Sequence, residues 1–130
     1  MTTELIILGW TLVLALVQIA LAGAMRTMET GIGYNMGPRD AAAPPVRPVT
    51  ARLQRAQANL FETLPLFAAA VLIAHVGGRE SAATVLGCQL FLAGRVLYLP
   101  LYAFGVPVVR TIAWAVSLAG LIMIIKAILA

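Results

Sequence analysis

The chain alternates between long apolar stretches and short polar breaks. The first apolar stretch runs from Leu5 to Met25, with Gln18 its one strongly polar residue. A transmembrane helix needs about 20 apolar residues at roughly 1.5 Å each, and this stretch is that long. Residues 27–51 are polar and hold Gly31, Gly33, Gly37, Pro38, Pro44, Pro45 and Pro48, which predicts a loop over 26–51. A second span is predicted from about Arg52 to His75, starting polar and turning apolar. Gly77-Gly78-Arg79-Glu80 reads as a short turn, with Ser81 placed to cap the next helix. The third span covers about Ala82–Tyr102 and the fourth about Val108–Leu129, parted by Gly105 and Pro107. The expected fold is all-α, an integral membrane four-helix bundle in one domain over residues 1–130.

Composition strengthens that picture. Of the 130 residues, 62% are hydrophobic and 11% charged. Soluble domains run at roughly 45–50% and 25%. A domain this small leaves much of its surface exposed, so that apolar excess calls for lipid as solvent. Ala20-Leu21-Ala22 resembles a signal-peptidase site, but the residues before Leu5 carry Glu4 and no Lys or Arg. The apolar run is also longer than the roughly 7–15 residues of a signal-peptide core. The segment is therefore expected to be a retained span.

The net charge of +4 does not come from a dense basic tract, and no basic strand interleaved with aromatics is present. Nucleic acid is not an expected partner. One cysteine, Cys88, excludes an intrachain disulfide framework, and no metal-ligand spacing stands out. The basic residues do fix an orientation. Arg26, Arg39, Arg47, Arg52 and Arg55 flank or occupy the first loop, and Arg110 borders the third. The other side has Arg79 and Lys126. By the positive-inside rule the first and third loops are cytoplasmic and both termini lie on the far side.

Polar residues inside the spans form two stripes. At 3.6 residues per turn, Arg52, Arg55, Asn59, Glu62 and Thr63 share an arc of about 100°, with Gln57 well outside it. Arg95, Tyr98 and Tyr102 share about 60° of the third span. Pro65 and Pro100 fall inside their spans and are expected to bend them. Ionisable residues within a span are costly and tend to mark function. The predicted orientation brings both stripes and Arg110 to the cytoplasmic leaflet, with Arg26 at the same level. Several arginines, an amide, a carboxylate and two phenols suit an anionic or zwitterionic ligand from the cytosol. A plainer reading stands beside this one. Arg26, Arg52 and Arg110 also suit interfacial anchors, the tyrosines an aromatic belt, and the Arg55/Asn59/Glu62 set a buried ion pair fixing helix register.

The segment Arg55-Ala56-Gln57-Ala58-Asn59-Leu60-Phe61-Glu62 gives R-x-x-x-N-x-x-E at the start of the second of four spans. This resembles the signature of the MAPEG family, the membrane-associated proteins in eicosanoid and glutathione metabolism. Arg95 followed by Tyr98 and Tyr102 is similar to that family's third-span pattern, and Arg110 sits where its enzymes keep a catalytic arginine. The resemblance implies a homotrimer with glutathione, as co-substrate, held between neighbouring subunits at the cytoplasmic side. It implies that Arg55, Asn59 and Glu62 hold glutathione from the second span, with Arg52 and Gln57 in support. Arg95, Tyr98 and Tyr102 would contribute from the third span, and Arg110 would stabilise the thiolate. The reaction implied is transfer to a hydrophobic electrophile, or reduction of a lipid hydroperoxide, drawn from the bilayer. Position 63 is Thr where some members carry an aromatic residue, and Arg110 is followed by Thr111 rather than the serine of the prostaglandin branch. That branch's isomerase chemistry is therefore not expected. Some members bind lipid without catalysis, so a lipid-binding or scaffold role stands as the alternative.

Overall fold

A computed structural model describes residues 1–130. Five helices carry the chain: α1 (Thr3–Thr30), α2 (Ile32–Met36), α3 (Pro48–Val76), α4 (Ala82–Ala103) and α5 (Pro107–Leu129). Four of them, all but the short α2, are long and apolar enough to cross a membrane. The protein is an all-α, multi-pass integral membrane four-helix bundle.

α1 and α3 are longer than the apolar stretches on which they are built. Their 28 and 29 residues give rods of about 42–44 Å, against roughly 30 Å of hydrocarbon. Helix therefore extends into the segment expected to be a loop: α1 continues to Thr30, α2 follows, and α3 begins at Pro48. Pro48 occupies the first turn of α3, where its missing N–H breaks no hydrogen bond. The side chain of Arg47 does not cap that helix. Instead Glu29, from the last turn of α1, takes hydrogen bonds from the Arg47 backbone N–H and the Thr50 hydroxyl. A carboxylate at a helix N-terminus meets unsatisfied N–H groups and the positive end of the dipole. This clasp ties α1 to α3 across the intervening residues.

α4 and α5 pack most extensively against one another. Gly87 and Gly120 make that possible. A Cβ on Gly120 would lie 2.4 Å from the Gly87 carbonyl oxygen, and one on Gly94 would lie 2.6 Å from that of Ala113. Small residues of this kind let membrane helices approach closely where no hydrophobic effect drives them together. Between α3 and α4 the core is filled by Phe67 stacked on Phe91, ring centroids 4.0 Å apart and nearly parallel. Pro65 and Pro100 both lie within unbroken helices.

At the α3–α4 turn a polar cluster joins three elements. Ser81 caps α4 reciprocally with Thr84, as its position before the third span suggests. The Thr84 hydroxyl also donates to Glu4, which is almost wholly buried. Thr2 donates to Glu80 at 2.6 Å, and His75 Nδ1 lies 3.1 Å from the same carboxylate. The Thr2 hydroxyl, ahead of His75, holds the Glu80 carboxyl below the usual carboxylate range. The two arms of the bundle are thus fastened at opposite ends, by Glu29 at one and by Glu4 and Glu80 at the other.

Candidate functional site

The N-terminal half of α3, the C-terminal end of α4 and the N-terminal end of α5 meet at one end of the bundle. Arg52 fixes their relative height. Its Nη1 reaches the Ala103 carbonyl at 3.4 Å, and its guanidinium lies over Gly105, where a Cβ would come within 3.1 Å of Cζ. Gly105 has φ +71°, a conformation that L side chains rarely adopt. Glycine at the α4–α5 turn is therefore favoured by the backbone, with the flexible end of Arg52 packed over it. Arg52 lies at the turn and is not among the side chains that line the neighbouring pocket.

The pocket lies one turn further in. It encloses about 230 Å³ and is lined by Asn59, Tyr98, Tyr102, Arg110, Thr111 and Trp114. Tyr102 stands at its centre. Its hydroxyl accepts a hydrogen bond from Arg55 Nε at 3.1 Å. The Arg110 guanidinium covers its ring at 4.4 Å from the centroid, and Tyr98 leans against it at 5.4 Å. A guanidinium over an aromatic face is attracted by the ring quadrupole, so Tyr102 holds two cations side by side. No carboxylate lines the pocket. The lining offers positive charge, two phenols, an amide and a hydroxyl, a set that recognises carboxylates and other anions.

The two sequence stripes do not enter the pocket whole. Arg55, Asn59, Tyr98, Tyr102 and Arg110 are brought together there. Arg95 lies behind the wall, 1% exposed, with Nη2 bonded to the Asn59 carbonyl, Asn59 Oδ1 and Thr63 Oγ1 at 2.8–2.9 Å. Glu62 is exposed on the outer face of α3 and makes no ion pair. Gln57 turns away, as its helical phase requires, into a second cleft of about 520 Å³. There it faces Gln54, Arg26, Asn35 and Arg39. Thr111 and Trp114 are pocket residues that the stripes did not include. Their signal was their spacing from Arg110 at one and four residues, which places all three on one side of α5. No three side chains among His, Cys, Asp and Glu gather closely enough to hold a metal ion.

Four membrane-spanning helices with a cationic, tyrosine-lined pocket where three of them end define a class of protein, a multi-pass membrane bundle with a polar cleft at one end. The match is more specific than that. Residues 7–130 fit the model of the MAPEG family, and the chain belongs to that family. No curated protein and no solved structure matches the chain.

Proposed function

We propose that this protein is a glutathione-dependent membrane enzyme, a transferase with peroxidase capacity, acting as one domain over residues 1–130. The observation that carries the reading is Tyr102 held between Arg55 and Arg110 in a pocket without a carboxylate. In this reading Arg55 and Asn59 receive the carboxylates and amide oxygens of glutathione, and Tyr98 and Tyr102 shape the wall. Arg110 faces the sulfur. A thiol ordinarily titrates near pH 8.5, and a guanidinium beside it favours the thiolate, which is the nucleophile. The electrophile or lipid hydroperoxide arrives from the bilayer.

Two observations support a site completed by a neighbouring subunit. The pocket, at about 230 Å³, is smaller than the roughly 300–1,000 Å³ typical of small-molecule sites. Arg55 and Glu62 are also exposed along a membrane span, and polar groups there require cover by protein or water. A homotrimer in which the Gln57 cleft of one subunit faces the Arg55–Glu62 edge of the next satisfies both. Glu62 then takes the glutathione ammonium, and Arg52 keeps the wall in place. The arginine distribution supports an orientation with this end of the bundle on the cytoplasmic side and both termini opposite it.

A second reading, a lipid-binding protein without catalysis, is favoured by one feature. An apolar groove of about 660 Å³ between α1 and α4, lined by Ile7, Leu92, Val96 and Leu97 among others, is larger than the polar pocket. Calorimetry with glutathione on detergent-purified protein, run beside Arg55→Ala, separates the two. The enzyme reading expects micromolar-to-millimolar binding lost in the variant, and transfer to a generic electrophile that Arg110→Ala abolishes. Absence of glutathione binding in the wild type overturns it.

A further inference from the structure

Arg95 is a buried cation without a counter-ion. It is 1% exposed, makes no ion pair, and leaves Nε and Nη1 without hydrogen-bond partners. The Tyr98 ring lies beside it, 5.0 Å from Cζ. A charge so placed inside a membrane span is expensive and calls for a reason. All three of its hydrogen bonds come from one nitrogen and converge on one turn of α3, at the Asn59 carbonyl, Asn59 Oδ1 and Thr63 Oγ1.

The chemistry of the guanidinium settles how the Asn59 side chain must lie. Arginine has donors and no acceptor, so the carboxamide atom facing it must be the oxygen. Oδ1 is then committed to Arg95 at 2.8 Å, while Asn59 also lines the pocket. The carboxamide therefore presents Nδ2 to a ligand. Thr63 is locked in the same way. Its hydroxyl accepts from Arg95 and donates to the Leu60 carbonyl at 3.1 Å, so it cannot compete for Asn59.

We propose that Arg95 is a positioning residue that touches no ligand, and that it fixes Asn59 as a donor-only group reading an acceptor oxygen of the molecule in the pocket. The idea rests on the glutathione reading for the identity of that molecule, where the oxygen belongs to a carboxylate or peptide carbonyl. The orientation of Asn59 does not depend on it. Asn59→Asp is consequently the most damaging isosteric change for binding. It gains an ion pair with Arg95, keeps the fold, and replaces a donor with an acceptor.

The test has one arm that needs no ligand and one that does. Asn35 and Asn59 are the only asparagines, so selective ¹⁵N-asparagine labelling gives two pairs of side-chain amide signals, assigned with Asn35→Asp. Arg95→Met is expected to move the Asn59 pair toward the shifts of a freely solvated amide and to leave the Asn35 pair in place. An unmoved Asn59 pair in a variant that is still helical overturns the proposal. In the ligand arm, Arg95→Met is expected to weaken glutathione binding about tenfold in the wild-type background and less than about twofold in Asn59→Ala. Equal losses in both backgrounds mean that Arg95 acts on the ligand directly, and overturn it. Should Arg95→Met fail to fold, Arg95→Gln decides. It keeps a donor for Oδ1 without the charge, and is expected to hold affinity within about threefold of wild type. A loss of about tenfold or more in that variant overturns positioning in favour of charge. A wild type that binds no glutathione removes the functional reading alone, and the amide arm still tests the orientation.

Discussion

The site depends most closely on the hydroxyl of Tyr102, because it holds Arg55 while the ring beneath carries Arg110. Tyr102→Phe keeps the ring and removes the acceptor. Glutathione binding is expected to weaken about tenfold in calorimetry because Arg55 loses the partner that orients it, with thermal stability close to wild type because that bond is exposed. The Glu80 carboxylate gives a prediction of different sign. Its proton affinity is lower in the folded protein than in the unfolded chain, first through the Thr2 hydroxyl and then through His75. Its contribution to stability is therefore complete above the ordinary value near 4.5 and lost as pH falls through the lower folded value. Glu80→Gln is expected to lower the melting temperature at pH 7 and to lower it by less at pH 3. An equal drop at both pH values would show that the carboxylate's charge is not what matters. At this scale the sequence was informative about Arg55 and Asn59, whose four-residue spacing follows from helix geometry. It was silent on whether Arg95 points into the pocket or lies behind its wall. Both placements share one face of α4 and differ only in how far the side chain reaches across to α3.

At the level of elements, the α4–α5 contact rests on glycines that touch backbone to backbone. Gly120→Ala is expected to destabilise the protein by about 1–3 kcal/mol in denaturant or thermal unfolding, because the new methyl meets the Gly87 carbonyl and the Phe91 amide. Gly9→Ala is the control. A Cβ there meets nothing within 4 Å, so gaining a better helix former is expected to be neutral or to stabilise by up to about 1 kcal/mol. Gly87 and Gly94 could be read from the sequence as small residues on a packing face, but their opposite numbers on α5 could not. Register between two apolar helices is set by shape, and shape is not written in hydropathy. The same limit hid the ends of α1 and α3. Polar composition, three glycines and four prolines marked residues 27–51 as a loop, and nothing local showed that Glu29 would supply the cap that lets α3 begin at Pro48.

In the whole molecule, the pocket stands where three helices end, and the enzyme proposed above would receive a water-soluble thiol and a bilayer-dissolved acceptor there by different routes. Span count, membrane character and the family were legible because they depend on length and composition over many residues. The division of one polar stripe between a pocket, an outer edge and a buried strut was not, because it depends on which neighbours each helix meets. The Glu29 clasp has a consequence of another kind. Residues 38–45 are exposed, and the chain on either side of them is already joined through Glu29, Arg47 and Thr50. The covalent link there is redundant with a non-covalent one. A gene cut between Asp40 and Ala41 and expressed as two pieces is expected to yield a bundle in which a tag on the first piece retrieves the second from detergent extract. Glu29→Ala is expected to weaken that recovery. The protein is in this sense two folding partners that happen to share one polypeptide, with the connection free to change in length or be lost while the helices that build the pocket stay in register.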